Sequence, residues 1–319
     1  MDSASFFAAS RVIIVAGKGG VGKSTMSAAL ARAAAKAGLS TLLVRLTAGG
    51  AFGTLFGQPA PGTAETTLHA GGGPSGDADV RTCLITPNEA LDDYLKDHGL
   101  GRITRRLTST GTIEVVTAAA PGIRDLLVLG RVKALESSRA ADLIVVDAPA
   151  AGHAVPFLQS PTGLRDAVGN GPIATQATGV LEMLADPARC RVLLVTLAEE
   201  TPVNEVIETA FAIEDEIGVR LAPTIVNGLI TQPSAFPADH AAAEFDISPE
   251  LLSELRAANA FRSAWANSQH EQLNRLIQQL PLALIGVPQL PTTDLGPQEL
   301  ELLAQAITDG ITELPDDTP

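Results

Sequence analysis

The stretch VIIVAGKGGVGKST, residues 12–25, constrains the fold of this chain more than any other. Its opening run, residues 12–16, is short, apolar and β-branched, the pattern of a fully buried parallel strand. Residues 22–36 are Ala-rich with good helix formers, and Gly38 stops them at a C′ position. Between the two, GKGGVGKS satisfies G-x-x-x-x-G-K-[ST] with a strand before it and a helix after it. Glycines let backbone N–H groups approach phosphate oxygens, and the helix N-terminus adds a favourable dipole. Lys23 supplies a point charge for β- and γ-phosphates, and the Ser24 hydroxyl suits a Mg²⁺ ligand. Gly17, Lys18, Gly19, Gly20, Val21, Gly22, Lys23, Ser24 and Thr25 are therefore the candidate nucleotide-binding residues, with ATP or ADP and Mg²⁺ as the implied ligands.

Further apolar runs follow at 41–46, 80–86, 141–147, 191–197, 222–228 and 281–288, each reading as a strand. Helical patterns lie between them, over 87–99 (Pro87 at N1, Gly99 closing), 202–216, 248–279 and 296–313. Residues 47–79 are rich in Gly, Thr, Pro and Ala and read as loop. Residues 100–138 read as mainly helical, with a strand and break at GTIEVVTAAAPG, and 154–189 as loop and helix. The tail LPDDTP reads as frayed. This alternation predicts an α/β fold: a doubly wound, mostly parallel sheet with an inserted helical subdomain. One domain spans 1–319, with helical insertions at roughly 54–138 and 154–190.

Composition narrows the partners. The net charge of −14 argues against nonspecific nucleic-acid backbone binding, which needs a dense basic surface. Cys83 and Cys190 stand far apart with no CxxC, so a disulfide framework or a four-thiolate site has no ligands, and each reads as a small buried hydrophobe. The first ten residues lack a basic region and a long apolar segment. The longest uncharged run, 148–164, is interrupted by Pro149, Pro156 and Pro161, so no integral membrane segment is expected. A cytoplasmic setting fits these features.

The phosphate cradle leaves Lys18 unexplained. The string KGGVGKST resembles the deviant phosphate loop of dimeric ATPases, among them arsenite-pump, tail-anchored-protein targeting, partition and septum-site ATPases and the nitrogenase iron protein. In those families the early lysine reaches the partner's phosphates, so the resemblance implies a catalytic role for Lys18 beside Lys23 and a homodimer or heterodimer closed by ATP. The segment LIVVDAPAAGH resembles the ArsA-type switch D-x-P-x-x-G-H, matched at Asp147, Pro149, Gly152 and His153. Asp147 ends a buried strand, where an unpaired carboxylate is costly, and is the expected second contributor to a Mg²⁺ site with Ser24. Asp142, before the strand, reads as a surface or capping residue.

APGIRDLLVLGRVKALE is similar to the helical P-G-x-x-E segment of the same branch, with Asp125 at the acid. TIVNGL implies Asn227 against an adenine ring, and IGVPQLP implies Pro288 in a loop over that base. The chain is thus identified as a member of the ArsA-type ATPases, in a divergent bacterial group that includes unequal paired subunits.

Three departures qualify what the resemblance implies. ArsA-type enzymes carry D-P-A-H after the second strand, and its aspartate orients the attacking water; Thr47 stands at that position here, and a threonine is a poor general base. With only Met1, Met26 and Met183, the chain lacks a methionine-rich groove. The Leu-rich segments RDLLVLG and GVLEMLA fit either a groove or ordinary core. A zinc clamp and an arsenite-binding cysteine cluster have no ligands. The expectation is a slowly hydrolysing dimeric switch acting on a hydrophobic or protein client; the alternative is a catalytically silent subunit paired with a complete ATPase.

Overall fold

The computed structural model describes residues 1–72, 76–97, 121–230 and 247–315. The first strand, β1 (Val12–Ala16), divides its side chains between two cores. Val12, Ile14 and Ala16 join one apolar cluster, and Ile13 and Val15 join the other. A strand apolar on both faces belongs in the middle of a covered parallel sheet. β1 lies there, hydrogen-bonded in parallel to β5 (Leu143–Asp147) on one side and β6 (Cys190–Leu197) on the other.

Among the described residues the sheet has eight strands, in the order β3-β4-β2-β5-β1-β6-β7-β8. β2 (Thr41–Arg45), β4 (Val80–Leu84), β7 (Thr224–Leu229) and β8 (Leu284–Pro288) continue the parallel pairing. Among the described residues only β3 (Thr66–His69) is antiparallel, against β4 at the edge. One face is covered by α1 (Ser3–Ala8), α2 (Lys23–Lys36), α3 (Phe52–Leu55) and the last helix, Pro297–Thr312. The other carries α4 (Pro87–Asp97), α5 (Pro121–Ser137), α6 (Ala151–Val168), α7 (Pro172–Ala185) and α8 (Glu200–Phe211). A π-helical turn, Ala212–Ile217, extends α8. α9 (Pro249–Gln279) follows β7, and Pro297–Thr312 is α10.

The doubly wound sheet expected from the sequence is therefore present. Its strands fall within one to three residues of their expected bounds. The stretch 47–79 differs, because it contains α3 and β3 rather than loop alone. In β3 only Leu68 is buried, too little alternation for a periodic signal. Pro156 and Pro161 do not break the chain either. α6 runs through both, packed against α5 and α7, which offsets the missing backbone donors. RDLLVLG and GVLEMLA resolve as core, since Leu126, Leu127, Val128, Leu129, Val180, Met183 and Leu184 are all buried. Gly99, the tail beyond residue 315 and GTIEVVTAAA lie outside the described residues, whereas Pro121 and Gly122 begin α5.

Two buried arginines tie loops to this frame. Arg45, at the end of β2, donates to Thr82 Oγ1 (3.2 Å) and to the carbonyls of Pro61 (3.4 Å) and Gly62 (2.5 Å). Burial lowers its pKa from the ordinary value. Arg32 on α2 pairs with Asp77 at 2.6 Å and with Glu301 on α10, joining the helix behind the glycine loop to two neighbours. Arg32 and Asp77 are both buried, and removing the guanidinium takes a 2.6 Å charge-assisted bond from a carboxylate that also faces His69 Nε2 at 3.7 Å. Arg32→Leu is expected to lower the unfolding free energy by about 3 kcal/mol in urea titrations; a loss below about 1 kcal/mol would assign the anchoring elsewhere.

Candidate active site

The parallel register sets Val15 opposite Asp147, so the glycine loop and the acid leave the sheet at the same edge. Open α/β sheets bind ligands outside these C-terminal strand ends, where the strand order reverses. The loop threads between neighbouring strands at close quarters. Gly17 has φ +155°, and a Cβ there would sit 2.2 Å from the Val195 carbonyl oxygen on β6. Gly22 has φ +89°, and its Cβ would sit 2.4 Å from Asn227 Nδ2. Any larger residue at either position displaces backbone or breaks a hydrogen bond, because Asn227 Nδ2 donates to the Val21 carbonyl at 2.9 Å.

Lys23 opens α2, and its ammonium donates to the Lys18 carbonyl at 3.2 Å. Burial lowers the Lys23 pKa, and the charge of Asp147 partly opposes that shift. Ser24 Oγ donates to Asp147 Oδ2 at 2.6 Å, and Ser27 Oγ donates to Oδ1 at 3.3 Å. Burial raises the Asp147 pKa despite these donors and the Lys23 charge. A carboxylate pushed up by burial beside a hydroxyl is a hard-oxygen donor pair that fits Mg²⁺, which keeps several waters alongside one or two protein ligands.

The other expected residues are placed as follows. Lys18 Nζ lies 2.5 Å from Glu205 Oε1 on α8 of the same chain. Asp142 accepts from Ser40 N (2.9 Å) and Oγ (2.6 Å), the structural role its position suggested. The Asp125 carboxyl on α5 is raised by burial, an effect that charge on His153 and Arg124 partly opposes. Thr47 is exposed on the bend just beyond Arg45, which pairs in register with Asp147. Pro288 ends β8 opposite Leu229.

Three features escaped sequence reasoning. Ser27 lies one turn after Ser24, a spacing that places both on one helix face. Glu205 had no local signal. Beyond β7 and β8, a hollow of about 320 Å³ is lined by Ile230, Phe261, Arg262, Trp265, Gln289, Leu290 and Pro291. The Phe261 and Trp265 rings there are tilted, with centroids 6.1 Å apart. Cys190 is buried as expected and Cys83 only partly so, and burial pushes their thiols up to about 12 and about 11.

A strand, glycine loop and helix at a parallel-sheet switch point, with an acid at the adjacent strand end, define a P-loop NTPase fold. The anion-transporting ATPase profile matches residues 10–170, and the chain belongs to that ArsA family. It is 34% identical over 229 residues to the ATPase BagA of Mycobacterium tuberculosis, covering 68% of this chain and 64% of that protein. It is 25% identical over 340 residues to an arsenical pump-driving ATPase of Escherichia coli, covering 95% of this chain and 50% of that one. It is 29% identical over 181 residues to the ATPase get3 of Schizosaccharomyces japonicus, covering 53% and 52% respectively. The chain thus spans about half to two thirds of the length of these relatives.

The Asp147 environment makes a signed prediction. A carboxyl raised above its ordinary 3.8 costs stability once pH exceeds that value, and the cost grows until the folded pKa is passed. Asp147→Asn, which still accepts from Ser24, is therefore expected to melt at a higher temperature than wild type at pH 7. The difference should vanish below about pH 3, under the ordinary 3.8, where both states of the wild type are protonated. Scanning calorimetry across pH checks this, and a lower melting temperature at pH 7 would refute the account of a strained carboxylate.

Proposed function

We propose that this chain binds Mg·ATP through residues 17–25 and acts as a slow, dimeric ATPase switch of the ArsA type. The convergence of Lys23, Ser24 and Asp147 at the β1–β5 edge carries this reading. Lys23 holds the β- and γ-phosphates, while Ser24 and Asp147 hold Mg²⁺ and its water shell. A bound Mg²⁺ neutralises charge developing on the transferred phosphoryl group. Asn227 fixes the loop through the Val21 carbonyl and lies about three residues, or roughly 10 Å along β7, from the hollow at Ile230. That span matches a nucleotide whose base rests in the hollow, past Pro288, with its phosphates in the loop.

The same reading takes the chain to act in the cytoplasm, where ATP is abundant. Among the described residues no helix is long and apolar enough to cross a membrane. The dimer, with an identical or a related subunit, closes when Lys18 engages the partner's nucleotide, and the open and closed states differ in affinity for a hydrophobic or protein client. The insertions near 54–138 and 154–190 are the regions proposed to respond to that closure. With the Leu-rich segments of α5 and α7 committed to the core, exposed apolar side chains concentrate on α9, at Leu251, Leu255, Phe261, Trp265 and Ile277.

Thr47 supports a second reading, in which the chain binds nucleotide but leaves hydrolysis to a complete partner. Phosphate release from Mg·ATP separates the two. Turnover that disappears in Asp147→Asn is expected for the switch, and bound ATP without turnover for the silent subunit. Lys23→Ala is expected to abolish ATP binding in calorimetry, and unchanged affinity would sink the phosphate-loop reading. Thr47→Asp is expected to raise phosphate release at least about tenfold; an unchanged rate would remove residue 47 from the water-positioning site.

A further inference from the structure

The Lys18–Glu205 contact has a consequence for when Lys18 becomes available. Lys18 lies in the glycine loop, yet its ammonium points across to α8, where Glu205 Oε1 accepts at 2.5 Å. Both side chains are about one third exposed, so the pair sits on the rim of the site, open to exchange. The two residues are far apart in sequence and are brought together by β6, which runs beside β1 and delivers α8 to the loop's edge. Other charges on the first turns of α8 are Glu199 and Glu200. The loop's second lysine, Lys23, is turned inward toward Asp147 and the Lys18 carbonyl.

We propose that Glu205 is a positioning residue that holds the Lys18 ammonium on its own subunit until a polyphosphate displaces it. The inference rests on the nucleotide-binding reading above and adds to it a cost of engagement. The Lys18 ammonium has one best anionic partner at a time, and nucleotide phosphates must outcompete a carboxylate already in hydrogen-bonding contact. A charge-assisted contact at this distance is stronger than a neutral one, but exposure keeps it weak enough to break. Binding of nucleotide then frees Glu205 as Lys18 leaves it. The ion pair thus makes Lys18 engagement conditional on occupied phosphate sites.

The test is a double-mutant cycle read by calorimetry of Mg·ATP binding to wild type, Glu205→Gln, Lys18→Ala and the double variant. Glu205→Gln is expected to tighten ATP binding about two- to five-fold in the Lys18 background, the range of a partly exposed ion pair. It should leave affinity unchanged in the Lys18→Ala background, and 0.5 M NaCl should shrink the effect by screening. Glu205→Asp, which keeps the charge, should restore most of the wild-type affinity. Equal tightening in both backgrounds would overturn the inference, since a general repulsion between Glu205 and phosphate needs no Lys18. No tightening, or a weakening, in the Lys18 background would overturn it as well, while leaving the phosphate-loop reading intact. Absence of ATP binding in all four proteins would overturn that reading and the latch with it.

Discussion

The site depends on one close approach: the backbone of the glycine loop passes so near β6 and β7 that no side chain fits between them. Gly17 lies against the Val195 carbonyl, and Gly22 against the Asn227 amide. This contact fixes where the loop's N–H groups point and where α2 begins. Because α2 begins there, Lys23 and Ser24 meet Asp147, whose own position is fixed by the β1–β5 register. The site is therefore assembled by sheet geometry, and its side chains add charge to a frame that backbone packing has already set.

The electrostatics of this frame are unbalanced in a consistent direction. Burial disfavours the charged forms of both Lys23 and Asp147, although each eases the other. In the proposed Mg·ATP complex, a polyanion and a divalent cation would supply the two opposite charges. Rim and interior differ here: the half-buried Lys23 and Asp147 bond to neutral partners, the Lys18 carbonyl and the Ser24 hydroxyl, whereas Lys18 and Glu205 on the rim pair with each other.

Much of this was legible in the sequence because it is local or periodic. The strand–loop–helix unit, Asp147 at a strand end and the alternation of apolar strands with helices are all written within short windows. The roles of Asp142 and Cys190 followed from position and burial habit. What was not legible is long-range or weakly patterned. Glu205 stands among several glutamates on an acidic helix, and nothing local distinguishes the one that faces Lys18. β3 has a single buried residue, Leu68, and exists because β4 offers it an edge. The Leu-rich segments fitted groove or core equally by composition; only the covering of the sheet by α5 and α7 decides between them.

Arg45 bears on the mechanics of the segment that carries Thr47. Its guanidinium ties the end of β2 to the carbonyls of Pro61 and Gly62, so the intervening chain is a hoop with both feet fastened. A fastened hoop cannot swing as a flap; it changes shape only by flexing at its crown. Gly49 and Gly50, adjacent and both at positive φ, lie two and three residues after Thr47 and provide that flexure. Thr47 thus rides on a segment that is held at both ends, and the hold reaches β4 through the bond from Arg45 to Thr82.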